Sequence, residues 1–409
     1  METCGREVAR PDCLVRLLSR NYVKPPIQLL MLARPVHAAL HGVALCTVGE
    51  LFGGVERHVL GLITELKARE LNPVLLLFHD SELAAQARQQ GVEPIILPNR
   101  NLSLLRTSRR LASILEQQRI GVVHVHGYKA TVFCAVARQW LRFAMVRTEH
   151  GLPELMAGSP ISALRTRLYH LLDKAATRRS GTTVCYVSEE LKAHHRNAHA
   201  GLTTMVVPNG VSPIDRGRLQ RPSEFRENWF NLALVGRLDA VKGLHIAIAA
   251  AATDVVPPDL HLHIVGVGPC ESELRALAEE LGISERVHFL GFRRDVYDFI
   301  AHCDALLMPS LHEGLPYTLL EGMALGAPII ASQVGGLAEV LQDRVTALLV
   351  PPRDVQSLAH AILRLHDSPG LRLELGAQAQ RVQRSQYSLE AMTASYVAIY
   401  RALLRVDGG

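Results

Sequence analysis

Residues 231–269 read NLALVGRLDAVKGLHIAIAAAATDVVPPDLHLHIVGVGP, and this stretch decides the fold. An apolar run from residue 231 breaks at Gly236, a helical pattern occupies about 242–253, and HLHIV (261–265) then ends in the glycine turn GVGP, 266–269. Strand, turn, helix and strand in that order are the signature of a parallel βαβ unit. The alternation continues through RVHFLGF (286–292), DALLMPS (304–310), APIIAS (327–332) and ALLVPP (347–352), with helices near 271–281, 295–302, 316–325 and 335–342.

Ahead of this unit the same rhythm gives strands near 42–48, 73–79, 93–97, 121–126, 144–148 and 183–187. A helix over 55–70 carries Val55, Val59, Leu60, Ile63 and Leu66 on one face. VPNGV (207–211) reads as a last strand of this half, and the polar stretch 212–228 as the linker. The chain closes in an amphipathic helix near 388–405, with Met392, Tyr396, Ile399, Tyr400 and Leu403 as its buried stripe. The expected class is α/β: two Rossmann-like, doubly wound parallel-sheet domains facing across a cleft. The boundaries expected are 39–215, 216–386 and a terminal segment 387–409, with 1–38 an N-terminal extension that matches no element.

A chain of 409 residues exceeds what one core usually serves, and 48% hydrophobic with 20% charged residues is ordinary for a folded α/β protein. The seven cysteines are scattered and never spaced as CxxC, which argues against a disulfide framework or zinc site and for a reducing, cytoplasmic setting. No apolar run reaches the ~18 residues needed to span a bilayer, and no secretory signal is legible. Residues 1–210 hold 26 Lys and Arg against 16 Asp and Glu, while the remainder holds 18 against 23. A basic first half implies an anionic partner or surface.

Motifs at the carboxyl ends of strands carry most weight, because ligands of such sheets sit there. In HEGLPYTLLEGMALGAPIIAS (312–332), Pro316 suits a first helical turn, with Glu313 in the loop before it and Glu321 about one turn inside. Gly314 and Leu315 then offer backbone N–H groups at a helix N-terminus, a natural diphosphate site. In VGRLDAVKGL (235–244), Arg237 and Lys242 are two cations suited to a leaving diphosphate; the plain alternative for Arg237 is a surface pair with Asp239. Gly53 and Gly54 open a helix after the first strand and permit close approach of a phosphate or sugar. His150 in RTEHGLPE (147–154) ends a strand facing the cleft, and His126 and Lys129 of VHVHGYK (123–129) lie on a similar rim. GVGP lacks the rest of a GxGxxG fingerprint, so a nicotinamide site is poorly supported. No metal-ligand spacing is legible in the sequence, and no metal or other cofactor is expected.

Together these motifs resemble glycosyltransferase family 4, the retaining nucleotide-sugar enzymes of the GT-B fold, over about residues 40–405. The resemblance rests on the paired glycines 53–54, TEHG, VSEEL (187–191), VPNGV, GRLDAVKG, GVGP and the segment 313–321 followed by GAPIIASQVGGLAEVL. It implies an acceptor-binding first domain, a donor-binding second domain and a terminal helix that crosses back to the first. Arg237 and Lys242 would bind the diphosphate, Glu313 the sugar hydroxyls and Glu321 the ribose. The backbone from Gly314 through Leu315, Pro316 and Tyr317 to Thr318 would cradle the β-phosphate and sugar. Gly53 and Gly54 would close over the diphosphate, Gly266 and Gly268 would border the donor, Phe292 would meet the base, and His150 would touch the donor sugar.

The implied reaction moves a hexose-type sugar from a UDP- or GDP-sugar to a hydroxyl of a glycan or lipid-linked acceptor, with retention, in cell-envelope or exopolysaccharide assembly. His126 and Lys129 would lie on the acceptor side. The basic segments 100–110 and 165–179 would meet anionic headgroups at a membrane surface, or else are plain solvated helix faces. No nucleic-acid partner is implied. An inactive nucleotide-sugar-binding scaffold and a GT-B sugar-nucleotide epimerase stay open as alternatives.

Overall fold

A computed structural model describes residues 42–49, 53–97, 103–151 and 171–406. The extension 1–38, much of the first basic segment's start and residues 152–170 lie outside the described residues.

Thirteen strands form two sheets among the described residues. The first holds β1 (Val43–Thr47), β2 (Val74–Leu77), β3 (Ile95–Ile96), β4 (Val122–His126), β5 (Ala144–Glu149), β6 (Thr183–Tyr186) and β7 (Thr204–Val206), in the order 3-2-1-4-5-6-7. The second holds β8 (Phe230–Val235), β9 (Leu260–Val265), β10 (Val287–Gly291), β11 (Ala305–Met308), β12 (Ile329–Ser332) and β13 (Leu348–Val350), in the order 10-9-8-11-12-13. Every pairing is parallel, from Ala44 opposite Val74 in the first sheet to Ile330 opposite Leu348 in the second. β1, β4, β9 and β11 are buried along their whole length, as strands covered by helices on both faces must be.

The terminal helix Leu389–Val406 follows the last helix of the second domain, Pro369–Gln386, and packs on the first sheet. Its Met392, Tyr396, Ile399 and Tyr400 join Leu62, Leu66 and Val146 in one core, while Leu403 lies at its margin.

One reading of the sequence needs correction here. VPNGV is not a strand: pairing stops at Val206, and only Val211 returns to a bridge, with Ser388. Pro208 has no N–H to give a ladder, and Gly210 runs so close to Ser388 that a Cβ would lie 2.3 Å from its carbonyl oxygen. The polar stretch 212–228, read as the linker, does lie between β7 of the first sheet and β8 of the second, and it is tied to the second domain. Arg216 donates to the carbonyls of Leu325 (3.1 Å) and Ala301 (2.5 Å), and Phe225 is buried against Phe299.

Candidate functional site

Most of the candidates gather where the strand order of each sheet reverses, β1 beside β4 and β8 beside β11, while His150, Gly266, Gly268 and Phe292 follow strands to either side, β5, β9 and β10. An open parallel sheet leaves a crevice beyond its strand ends at that point, so the loops there are the ones that meet a ligand.

On the second domain, Gly236 turns the chain after β8 at φ 151°. Gly266 takes φ 143° after β9, and a Cβ there would lie 1.9 Å from the Gly236 carbonyl oxygen. A Cβ on Gly268 would lie 2.5 Å from the backbone nitrogen of Leu238. The two turns stack backbone on backbone, so these glycines shape the wall behind the turn that carries Arg237 and Lys242. Lys242 ends the short turn Ala240–Lys242, and Gly243 passes so near Pro309 that a Cβ would meet its carbonyl oxygen at 2.0 Å. That contact ties the Lys242 turn to the end of β11. Lys242 Nζ donates to Glu313 Oε1 at 2.6 Å, and Ser310 Oγ donates to the same oxygen at 2.8 Å. Arg237 is half-exposed and pairs with Asp239, the contact its plain alternative anticipates. Gly236, Arg237, Lys242, Ser310, Glu313 and Thr318 line an open hollow.

Helix Tyr317–Leu325 starts at this hollow, with Pro316 as its N-cap rather than inside its first turn. Behind it, Gly336 N–H donates to the Glu313 carbonyl at 3.1 Å, and a Cβ on Gly336 would lie 1.6 Å from the Gly314 carbonyl oxygen. The glycine pair 335–336 therefore buttresses the Glu313 loop, a task its sequence alone did not disclose. Phe292, directly after β10, is 67% exposed.

On the first domain, Gly53 caps helix Gly54–Ala68 and gives its N–H to Glu56 Oε2 at 3.0 Å, so that donor is not open toward a phosphate. His126 is not on the rim: it ends the central strand β4 and is 1% exposed beneath His150. Lys129 lies in the first turn of helix Tyr128–Ala137. His126 Nδ1 and His150 Nε2 are 3.0 Å apart, and His58 stands edge-on to His150 with ring centroids 4.7 Å apart. His58 itself bonds Asn209 through Nδ1 at 3.0 Å. Ligand atoms of His58, His126 and His150 lie within 4.8 Å of one another. Burial pushes the His58 imidazole down to about 4, opposed by its bond to Asn209. Burial first, then neighbouring histidines, hold His126 and His150 well below the ordinary imidazole range. His150 is therefore neutral at pH 7 and brings hydrogen bonds, not charge, to its surroundings.

The two walls meet. A Cβ on Gly314 would lie 2.7 Å from the His150 carbonyl oxygen, and one on Gly54 would lie 3.8 Å from the Tyr317 ring. Asn209 Nδ2 donates to the Leu315 carbonyl at 2.7 Å. Glu339 accepts from the backbone of Glu189 (2.9 Å) and Glu190 (2.6 Å), which gives VSEEL its place. Arg57 forms an ion pair with Glu321, whose Oε1 also accepts from Tyr297 at 3.1 Å. His58, Asn209, Arg57 and Tyr297 are the members of this site that sequence reading missed.

Two family models match the chain, the one described as Glycosyltransferase Family 4 over residues 52–214 and the one described as Glycosyl transferases group 1 over residues 215–382. The lipopolysaccharide core biosynthesis glycosyltransferase LpsD of Rhizobium meliloti (strain 1021) is 34% identical over 188 residues, 46% of this chain; the chain spans about half (53%) of that relative. The UDP-Gal:alpha-D-GlcNAc-diphosphoundecaprenol alpha-1,3-galactosyltransferase of Escherichia coli is 25% identical over 343 residues, 79% of this chain and 87% of its own length. Among solved structures, Anabaena HepE in complex with UDP shares the fold with a TM-score of 0.75 at 21% identity, covering 88% of this chain and 100% of that one.

Proposed function

We propose that this chain, which belongs to the family 4 glycosyltransferases and carries their two facing GT-B sheets, is a retaining hexosyltransferase. It takes the sugar from a UDP- or GDP-sugar and gives it to a hydroxyl of a glycan or lipid-linked acceptor in cell-envelope or exopolysaccharide assembly. The observation that carries this reading is the Lys242–Glu313 pair lining the hollow at the β8/β11 switch point, with the His150 carbonyl of the first domain close to the adjoining Gly314. The UDP in HepE and the UDP-galactose and lipid-diphosphate in the name of the Escherichia coli relative support the choice of co-substrates.

In this reading the donor diphosphate draws Lys242 off Glu313 and Arg237 off Asp239, and the N-terminus of helix Tyr317–Leu325 adds its partial charge. Glu313, freed of Lys242, accepts from the sugar hydroxyls, and Glu321 accepts from the ribose. Neutral His150 shares a hydrogen bond with the sugar. The bond from the anomeric carbon to the phosphate oxygen breaks with its electron pair passing to the diphosphate. The acceptor oxygen bonds to that carbon from the same face, and its proton passes to the departing phosphate oxygen. Fixed cations, present before the charge develops, are the form of electrostatic catalysis that costs no reorganisation, and they take the place of a metal here.

No helix among the described residues is long and apolar enough to cross a membrane. The reading places the protein in the cytoplasm, with Leu104, Leu105, Leu171 and Leu172 exposed beside the basic residues of 106–110 and 174–179 as a peripheral contact with anionic lipid. A thermal-shift screen against UDP-, GDP- and ADP-sugars tests the donor site: saturation at 100 times Kd adds about 2.7 kcal/mol. A selective shift that Arg237→Ala removes is the expected result. No shift with any nucleotide sugar overturns the donor assignment.

A further inference from the structure

The three histidines behind the cleft are more than packing. His58 comes from helix Gly54–Ala68, His126 from the end of β4 and His150 from the turn after β5, so three separate elements bring imidazoles to one place. Their nearest ligand atoms lie within 4.8 Å of one another, and no carboxylate belongs to the set. The tautomer of His58 follows from its neighbours. Asn209 spends its amide group on the Leu315 carbonyl, so its Oδ1 faces His58 and must accept. The His58 proton is then on Nδ1, and Nε2 keeps its lone pair. That Nε2 is buried and has no hydrogen-bond partner among the described residues, and the same holds for the buried Nε2 of His126. A buried imidazole nitrogen without a partner costs about 1–3 kcal/mol, and a bound cation would take up the lone pair that His58 Nε2 keeps.

We propose that His58, His126 and His150 form a binding site for a borderline transition-metal dication, of which Zn²⁺ is the type. Neutral imidazoles without carboxylate select such ions over Mg²⁺ or Ca²⁺. Three histidines are a known ligand set for zinc, and tetrahedral bonds of 2.0–2.1 Å call for donors about 3.4 Å apart. A spread of at most 4.8 Å closes to that by side-chain rotation. Asn209 is the second-shell partner that orients His58, as ligating histidines normally require. All three ligands come from the first domain, whereas Arg237 and Lys242 belong to the second. Bound, the ion removes His150 from the donor sugar, and Zn²⁺ is thereby an inhibitor of transfer. That last consequence rests on the role given to His150 above; the binding itself does not.

The test is titration of the full chain with Co²⁺ alone, read by the visible d–d absorption of the bound ion, with Zn²⁺ as competitor. One site per chain, a saturating band that Zn²⁺ displaces, and a loss of affinity of at least about 100-fold in His58→Ala and in His150→Ala are expected, with about 10-fold in Asn209→Ala. His150→Ala guards against a folding failure, because that residue is on a turn and only half-buried. His261→Ala removes the other close histidine pair, His261 with His288 at 3.0 Å, and should leave the band unchanged. No saturable band, or a band that survives His58→Ala and His150→Ala, overturns the site.

Discussion

Arg57 of the first domain and Glu321 of the second are ion-paired across the cleft, with Glu321 buried at 1% exposure and Tyr297 donating to the same oxygen. The carboxylate expected to hold the donor ribose thus already holds an arginine. A nucleoside that takes Glu321 must displace it. Removing Arg57 leaves a buried carboxylate with one neutral partner, and breaking buried pairs costs about 3–5 kcal/mol, less here because Arg57 is one-third exposed. Arg57→Ala should therefore melt earlier by itself, yet gain more from a nucleotide sugar than wild type does. Paired melting curves with and without the nucleotide decide it. A smaller gain in the variant would make Arg57 part of the donor's grip rather than its competitor.

Lys242 and Glu313 form the pair on which the functional reading depends. Lys242 remains partly exposed and can turn to water when its partner goes, so Glu313→Ala should leave the melting point near that of wild type. Transfer should fall by at least about 100-fold, the scale seen when a fixed electrostatic partner of a transition state is removed. Lys242→Ala should weaken nucleotide binding as well as turnover. A Glu313→Ala enzyme with full activity would show that the site is misassigned.

Glycines 336 and 370 make a matched pair of opposite sign. A Cβ on Gly336 would lie 1.6 Å from the Gly314 carbonyl oxygen, whereas Gly370, exposed in the first turn of helix Pro369–Gln386, would meet nothing within 4 Å. Gly336→Ala should destabilise by about 1–3 kcal/mol through overpacking and shift the Glu313 loop. Gly370→Ala should stabilise by about 0.4–1 kcal/mol, because alanine loses less freedom on folding. Urea unfolding of both variants measures the contrast, and equal effects would refute the backbone contact.

The parallel folds were legible because each strand of a doubly wound sheet is an apolar run that ends on a turn signal, as Val235–Gly236 and Val265–Gly266 do. Lys242 and Glu313 were legible for the same reason: each follows a strand end, where nothing but a ligand or a partner needs a charge. His58 was not. It shares its helix face with Leu62 and Leu66, and helical periodicity cannot tell a functional side chain from a core one when both are buried. Arg57, one residue earlier, reads as an ordinary surface charge until Glu321 is brought beside it by a fold that separates them by 264 residues. VPNGV failed for a local reason, since its apolar ends suggest a strand and its proline forbids one. Asn209 inside it serves as a bracket between His58 and Leu315, a role only the assembled domains reveal.

His263 sets an acid limit on stability that is separate from the cleft. It is fully buried on β9 and bonds Asn231 through Nε2 at 3.0 Å. Burial first, then the nearby His288 and His261, push its imidazole down to about 3. In the unfolded chain the same group titrates near 6.5. Between those values the unfolded state binds a proton that the folded state refuses, so stability falls as the pH drops below about 6.5 and keeps falling until about 3. At about 1.4 kcal/mol per pH unit, this one residue removes roughly 2 kcal/mol between pH 6.5 and 5. Above pH 7 both states are neutral and it contributes no slope. His263→Gln keeps a donor for Asn231 but does not titrate, so its unfolding free energy should decline by about 2 kcal/mol less over the same interval. Urea curves at pH 6.5 and 5 measure both proteins, and parallel declines would mean that His263 accepts its proton without unfolding.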